Sequence, residues 1–172
     1  LRRSRGLGDV YKRQLLDYFL KNEIDIINLT PGHFSLLMDI GLEHKQKLPF
    51  KHILVGAETL PKELVTRFFK NPATHNITVS NIYGPTETCV NATIHHIDPK
   101  KLNETQSIPI GKPVPNFSLH IVDENMDEVP QGKAGELLIG GPGLAKEYLN
   151  HPGLTAEKFI PNPFSKNDEM TS

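Results

Sequence analysis

Short apolar runs alternate with helical stripes between residues 15 and 83, and this alternation constrains the fold more than any other feature. The runs "IDIINL" (24–29), "KHILVGAE" (51–58) and "NITVSNIY" (76–83) have the length and composition of strands. The first is almost continuously apolar, as in a strand covered on both faces. Strands separated by helices pair in parallel, so the sequence predicts an α/β fold with a parallel sheet.

Three helices are predicted between and before these strands. "LLDYFLKNE" (15–23) carries apolar residues at helical spacing. Thr30 and Pro31 have the residue types of a helix cap and a first helical turn, which predicts a helix through about Leu42. A further helix starts at Leu60-Pro61, where "PKELVTRFFK" puts its apolar residues on one face. Those residues are Leu64, Val65, Phe68 and Phe69.

The pattern changes near residue 105, after which proline and glycine become frequent. "FSLHIVDENMDEVPQGKAGELLIGG" (117–141) predicts a strand, an acidic turn, a loop and a second strand, as in antiparallel β structure. We therefore predict an α/β part over residues 15–105 and a β-rich part over residues 106–172. Residues 1–14, "LRRSRGLGDVYKRQ", have neither helical nor strand periodicity and resemble a translated sequencing adaptor. The polar end and the lack of an initiator Met predict a fragment of a longer protein.

Composition excludes several classes of function. A formal net charge of −1 gives no reason to expect nucleic acid or an anionic membrane as partner. Apolar runs stay well below the ~18 residues that a membrane span needs. Cys89 is the only cysteine, which rules out a disulfide framework and a cysteine-rich metal site and favours a reducing, cytoplasmic compartment.

Candidate binding residues follow two of the predicted strands. Ligands of parallel sheets bind beyond the carboxyl ends of the strands, where "VGAET" and "NIYGPTET" lie. Asn81 has an amide that can donate to and accept from an adenine edge, and Tyr83 has a ring for stacking on a base. Gly84-Pro85 predicts a sharp turn. Thr86 can donate to a phosphate oxygen, and Glu87 can ligate Mg²⁺.

These residues alone also fit a turn without a ligand. Gly-Pro turns are common, and a tyrosine that closes a strand is usually a packing residue. The sequence has neither a Walker-type phosphate loop nor a Gly-x-Ser-x-Gly nucleophile motif. His95 and His96 have no further metal ligand nearby and are predicted to be one core and one surface residue of a strand.

Several motifs together indicate a known family. "NIYGPTET" resembles the Asn-x-Tyr-Gly-Pro-Thr-Glu motif of nonribosomal peptide synthetase adenylation domains, and "GELLIGGPGLAKEYLNHPGLTAEKFIPNPF" resembles the family's next core motif. "INLTP", "ILVGAETLP" and "IPIGKPVPN" stand in the family's order. "GAETL" replaces the usual Gly-Gly-Glu-Ala-Leu. The resemblance implies the parallel-sheet subdomain of an adenylate-forming enzyme, followed by the start of a β-rich, distorted-barrel subdomain.

The resemblance also implies roles for individual residues. Asn81 contacts the adenine edge, Tyr83 stacks on the base with Ala57 behind it, Thr86 meets the α-phosphate and Glu87 holds Mg²⁺. The nucleotide-binding residues implied are Ala57, Asn81, Ile82, Tyr83, Gly84 and Thr86, and the catalytic residues implied are Thr86 and Glu87. The implied reaction joins an amino-acid carboxylate to ATP, giving aminoacyl-AMP and pyrophosphate. The aminoacyl group then passes to a phosphopantetheine thiol of a carrier domain, next to condensation domains of the same assembly line.

The substrate pocket implied by the resemblance combines apolar and amide side chains. Its residues are Asn28, Leu54, Gly56, Ile82, Val90 and Asn91. Two amides in a pocket widened by glycine favour a substrate side chain with a hydrogen-bonding end, such as ornithine or threonine, because unpaired buried amides are costly.

Two alternatives to this function stay open. An acyl-CoA ligase uses similar chemistry on a fatty or aromatic acid, although Pro85 and "HPGLTAEKF" favour a peptide synthetase. A non-catalytic α/β module could bind a nucleotide or a partner through the same loops, but such a module has no need of the Glu87 carboxylate. The family's phosphate loop and catalytic lysine lie outside this sequence, so we expect no turnover from it alone.

Overall fold

The chain is described by a computed structural model, which covers residues 14–15, 17–44 and 48–164. It divides into two compact units. The first lies within Leu1–Tyr83 and Thr93–Lys112, and the second within Gly84–Ala92 and Pro113–Ser172. The adaptor-like stretch at 1–14 lies, except for Gln14, outside the described residues. That prediction and the boundary near residue 105 between the α/β part and the β-rich part both stay predictions.

A five-stranded sheet organises the first unit, in the order β1-β2-β3-β4-β5. The strands are β1 (Ile26–Leu29), β2 (His52–Val55), β3 (Thr78–Tyr83), β4 (Thr93–His96) and β5 (Lys112–Pro113). β2 pairs in parallel with both β1 and β3, whereas β3 and β4 are antiparallel. The α/β fold with a mostly parallel sheet is therefore confirmed.

The helices begin where the sequence predicts. Residues 17–21 are helical, and Leu16 of the first predicted helix lies outside the described residues. Helix α1 spans Pro31–His44, and the backbone N–H of His33 donates to the hydroxyl of Thr30 at 3.3 Å, which confirms Thr30 as its cap. Helix α2 spans Lys62–Phe69 and follows Pro61, whose extended backbone occupies the cap position.

The core of the first unit lies between the helices and one face of the sheet. Ile53 and Val55 of β2 and Val79 of β3 are fully buried on this face, which they share because alternate side chains of a strand point the same way. The helices bury Phe34 and Phe68 against them, with ring centroids 5.0 Å apart. The cluster of buried residues includes Phe34, Leu37, Met38, Ile53, Val55, Val65, Phe68 and Val79.

The face of β1 that is turned away from the core is exposed, whereas the sequence predicted that both faces are covered. Ile26 and Asn28 are exposed, whereas Ile27 and Leu29 are half-buried, so the strand alternates instead of being covered on both faces. In the described part of the chain, α1 and α2 both pack on the core face. An apolar run alone cannot tell one covering layer from two.

The second unit contains a two-stranded antiparallel sheet. β6 (Ser118–Val122) pairs with β7 (Glu136–Gly140), as predicted. The acidic turn begins at Asp123, whose carboxylate accepts from the backbone N–H groups of Asn125 and Asp127. A short helix, α3 (Pro152–Lys158), follows the loop after β7. Among the helices described in either unit, none is long and apolar enough to cross a membrane.

We predict that Phe68→Ala destabilises the first unit by about 3–5 kcal/mol, because it opens a cavity between α2 and the sheet. Urea unfolding measures the loss. Tyr18→Ala is the control, since Tyr18 is 57% exposed and its loss should change stability far less. Equal losses in the two variants would contradict the assigned core.

Candidate functional site

The first unit brings two of the predicted segments to the same edge of its sheet. β2 and β3 are parallel neighbours, and Val55 pairs with Asn81. The residues that follow β2, Gly56 and Ala57, therefore leave the sheet on the side where β3 ends at Tyr83. This is the carboxyl edge, where parallel sheets bind ligands.

Asn81 is buried and its amide is fixed. Its Nδ2 donates to the carbonyl of Pro109 at 2.8 Å, which uses one of its two N–H groups. The amide still has a second N–H and a carbonyl oxygen. The contact with Pro109 was missed by sequence reasoning, because nothing local to either residue signals it.

Tyr83 ends β3 and is 38% exposed. Its backbone is held in the sheet opposite Thr93. The Thr93 hydroxyl donates to the carbonyl of Ile110 at 2.6 Å, which ties the neighbouring strand to the following segment. A rigid backbone and an exposed ring are what stacking on a base requires.

Gly56 and Ala57 both stand at positions that favour glycine, for different reasons. A Cβ on Gly56 would lie 2.6 Å from Cγ1 and 2.8 Å from the carbonyl oxygen of Ile82. Gly56 therefore lets the backbone after β2 approach β3 closely. The Ile82 side chain occupies the space beside Gly56 that was expected to widen the substrate pocket. Ala57 has φ 71°, a left-handed conformation that glycine adopts without strain. The family's usual second glycine stands at this position.

Three of the predicted pocket residues share one face of the sheet. Asn28 pairs with Leu54, and Leu54 pairs with Ser80, so these three side chains point to the same face. Ile82 lies two residues beyond Ser80 in β3 and therefore points to that face as well. The Ser80 hydroxyl lies 2.8 Å from Nδ1 of His96. Sequence reasoning missed Ser80, although its place two residues before Ile82 is a signal for the same face.

The two adjacent histidines differ as predicted. His96 is exposed, whereas His95 is half-buried. Burial, followed by the charge of His96, lowers the pKa of His95. Within the described residues, no group of three or more His, Cys, Asp or Glu side chains could hold a metal ion.

The second unit contains the loop Gly84–Ala92, which folds back on itself. A Cβ on Gly84 would lie 2.6 Å from the carbonyl oxygen of Val90 and 2.7 Å from the nitrogen of Ala92, so only glycine fits. A short 3₁₀ helix, Thr86–Thr88, follows Pro85. The Thr88 hydroxyl is buried and donates to the Pro85 carbonyl at 3.1 Å. Thr86 is exposed, which leaves its hydroxyl available to a phosphate.

The loop ends in a strained backbone. Cys89 and Val90 have φ values of 55° and 71°, and the left-handed region is unfavourable for a β-branched residue. Asn91 and Val90 are both exposed, and Val90 shows 51% of its surface. The two pocket residues predicted in this loop are therefore not part of the second unit's interior.

One segment of the second unit, residues 145–148, binds both the backbone and the side chain of Glu87. Its backbone carbonyl accepts from the N–H of Ala145 at 2.7 Å. Its Oε1 accepts from the phenol of Tyr148 at 2.6 Å. The bond from Tyr148 lowers the pKa of Glu87 and raises that of Tyr148. Sequence reasoning missed Tyr148.

The chemistry of this donor set fits Mg²⁺. Mg²⁺ is commonly bound through one or two carboxylates, with water and substrate phosphates supplying its other ligands. Glu87 is half-buried, the bond from Tyr148 lowers its pKa, and Oε2 is not used by Tyr148. A single carboxylate of this kind suits a metal that arrives with a nucleotide.

Comparison with known proteins identifies the family. Residues 6–149 match the AMP-binding enzyme family, and the chain belongs to that family. The match begins inside the stretch 1–14, whose origin stays a prediction. Bacitracin synthase 1 of Bacillus licheniformis is 40% identical over 158 residues, which cover 91% of this chain and 3% of that protein.

Solved structures with the same fold are peptide synthetases. Holo-PA1221, an NRPS protein containing adenylation and PCP domains, matches with a TM-score of 0.77 and 28% identity over 92% of this chain and 26% of its own. Holo-AB3403, a four-domain nonribosomal peptide synthetase bound to AMP and glycine, matches with a TM-score of 0.72 and 33% identity over 88% of this chain and 11% of its own. The resemblance to adenylation domains is thus confirmed, and this chain spans a small part of each relative.

Substitutions at the two neighbouring positions after β2 should have opposite effects on stability. We predict that Gly56→Ala destabilises the first unit by about 1–3 kcal/mol, because a backbone oxygen of β3 blocks the new methyl group. Ala57→Gly should stabilise it by up to about 1 kcal/mol by removing left-handed strain. Chemical unfolding of both variants measures the difference. Destabilisation by Ala57→Gly would contradict the strained backbone.

The bond between Glu87 and Tyr148 should depend on pH at both ends of the scale. Since the pKa of Glu87 is lowered from 4.5, its contribution to stability is present above pH 4.5 and is lost as the pH falls through the lowered pKa. Since the pKa of Tyr148 is raised from 10.0, the contribution is present below pH 10 and is lost as the pH rises through the raised pKa. In Tyr148→Phe, NMR titration should find the pKa of Glu87 shifted upward. An unchanged pKa of Glu87 would refute the bond.

Proposed function

We propose that this chain is part of an adenylation domain of a nonribosomal peptide synthetase. Such a domain joins an amino-acid carboxylate to ATP, forming aminoacyl-AMP and pyrophosphate. The observation that carries the proposal is the convergence of Gly56-Ala57 and Asn81–Tyr83 at one carboxyl edge of the sheet. Family membership supports the same conclusion.

The adenine is the part of the nucleotide that the first unit binds. The exposed Tyr83 ring offers a stacking surface, and Asn81 has amide groups left to meet the base edge. Ala57 leaves β2 at the same edge. The immobile Asn81 amide adds selectivity, because a base lacking the matching edge would leave it unpaired.

The phosphates and their metal are the parts that the second unit binds. The exposed Thr86 hydroxyl would donate to the α-phosphate, and the Glu87 carboxylate would ligate Mg²⁺. When bound, Mg²⁺ neutralises charge on the phosphates during transfer. Neither residue is a nucleophile, since this chemistry depends mainly on positioning and charge stabilisation.

The amino acid is selected by the pocket residues. Asn28 and Leu54 share one face of the sheet with Ile82. Asn28 favours a substrate side chain with a hydrogen-bonding end, and ornithine-like or threonine-like substrates fit this. The family resemblance also assigns Val90 and Asn91 a role in this selection.

Partners follow from the same proposal. The phosphopantetheine thiol of a carrier domain takes the aminoacyl group as a thioester and AMP is released, and condensation domains then use the thioester. A relative with the same fold contains adenylation and PCP domains in one protein. The single cysteine remains the reason to place the reaction in the cytoplasm.

ATP–pyrophosphate exchange tests the proposal in a complete adenylation domain that contains this chain. Amino acids should support exchange, and fatty or aromatic acids without an amine should not. Glu87→Ala should lower exchange by at least about 10-fold, because it removes the metal ligand. Glu124→Ala, which changes an exposed carboxylate in the acidic turn, should leave exchange unchanged.

Three results would contradict the proposal. Exchange that depends on a fatty or aromatic acid would favour an acyl-CoA ligase. Nucleotide binding that is unaffected by Glu87→Ala would favour a module without catalysis. Exchange by the 172-residue chain alone, for which we predict none, would show that the missing parts are not needed.

A further inference from the structure

The Glu87 side chain is fixed by contacts that its own loop does not provide. A glutamate has three freely rotating bonds, and holding one rotamer opposes side-chain entropy. The short 3₁₀ helix, Thr86–Thr88, has no side chain bonded to the Glu87 carboxylate. The 2.6 Å bond from the Tyr148 phenol is the contact that restrains it.

Contacts with Phe159 and Thr155 fix the position of Tyr148. Its ring meets the edge of Phe159, with centroids 5.4 Å apart and planes at 65°. Its backbone N–H donates to the hydroxyl of Thr155 at 3.0 Å, and that hydroxyl donates to the carbonyl of His151. The phenol is therefore a donor whose direction is set by helix α3 and the turn before it.

From this geometry we propose that Tyr148 is a positioning residue for the metal ligand, which holds Glu87 with Oε1 occupied and Oε2 directed to Mg²⁺. The inference rests on the proposed function, since it takes Glu87 as the ligand. Hydrogen-bonded partners of metal ligands orient them, and losing such a partner commonly weakens metal binding by 10–100-fold. The lowered pKa of Glu87 agrees with a charge-assisted bond.

A backbone hydrogen bond joins the segments of Glu87 and Tyr148 independently of the phenol. Ala145, three residues before Tyr148, donates to the Glu87 carbonyl at 2.7 Å. This contact keeps the two segments together when the phenol is removed. Tyr148→Phe therefore deletes one hydroxyl and retains both the ring against Phe159 and the backbone contact.

The test is Tyr148→Phe in the complete adenylation domain, with ATP binding measured by calorimetry at increasing Mg²⁺. We expect the Mg²⁺ concentration for half-maximal ATP binding to rise by about 10-fold or more. AMP binding without metal should stay close to the parent value, and the melting temperature should fall only slightly, by the contribution of the deleted bond. Tyr18→Phe, which removes an exposed phenol from the other unit, is the matched control and should change neither measurement.

A double-mutant cycle separates positioning through Glu87 from an indirect structural effect. If Tyr148 acts through Glu87, adding Tyr148→Phe to Glu87→Ala should cause no further loss of Mg²⁺ dependence. Additive losses in the double variant would overturn the inference. So would a Tyr148→Phe variant with the parent Mg²⁺ dependence.

The same cycle distinguishes failure of the inference from failure of the proposed function. If Glu87→Ala alone leaves the Mg²⁺ dependence unchanged, Glu87 is not the metal ligand and both proposals fail. If Glu87→Ala weakens it and Tyr148→Phe does not, only the role of Tyr148 fails. Should Tyr148→Phe prove unstable, Thr155→Val removes the hydroxyl that accepts from the Tyr148 backbone N–H. This variant should shift the Mg²⁺ dependence in the same direction. An unshifted Thr155→Val variant then counts against the inference.

Discussion

Parallel pairing of β2 with β3 is the constraint on which the candidate nucleotide site depends. Ile53 and Val79 are register partners on the core face, and both are fully buried. A slip of one residue would turn Val79 away from the core and exchange the faces of Asn81 and Ser80. The hydrophobic pattern therefore fixes more than the fold. It also decides that Asn81, rather than its neighbour, meets the carbonyl of Pro109 at the edge of the sheet.

The Gly84–Ala92 loop obeys a different constraint, namely close backbone approach. Gly84 permits that approach, and the left-handed conformations of Cys89 and Val90 complete the turn. Left-handed backbone at a β-branched residue costs on the order of 1–3 kcal/mol, and such strain commonly clusters at functional sites. In this loop it accompanies an exposed Thr86 and a Glu87 carboxylate held from outside. The loop carries Thr86 and Glu87, and the Tyr148 phenol holds the carboxylate of Glu87.

Much of this arrangement could be predicted from the sequence, since local patterns specify it. Apolar periodicity located the strands and helices, and Thr30 marked the start of α1. Contacts between distant residues could not be predicted in this way. Glu87 and Tyr148 are 61 positions apart, and neither residue type signals the other. The exposed face of β1 was also missed, because an apolar run does not reveal how many layers cover it. At Ala57, the left-handed backbone could be suspected only from the glycine that the resemblance places there.

We propose above all that the edge formed by β2 and β3 binds the adenine of a nucleotide. A crystal structure of the complete adenylation domain containing this chain, determined with AMP, tests it most directly. We expect adenine stacked on the ring of Tyr83, with its edge hydrogen-bonded to the Asn81 amide. AMP bound elsewhere, with the Tyr83 ring and the Asn81 amide making no contact with it, would contradict the account.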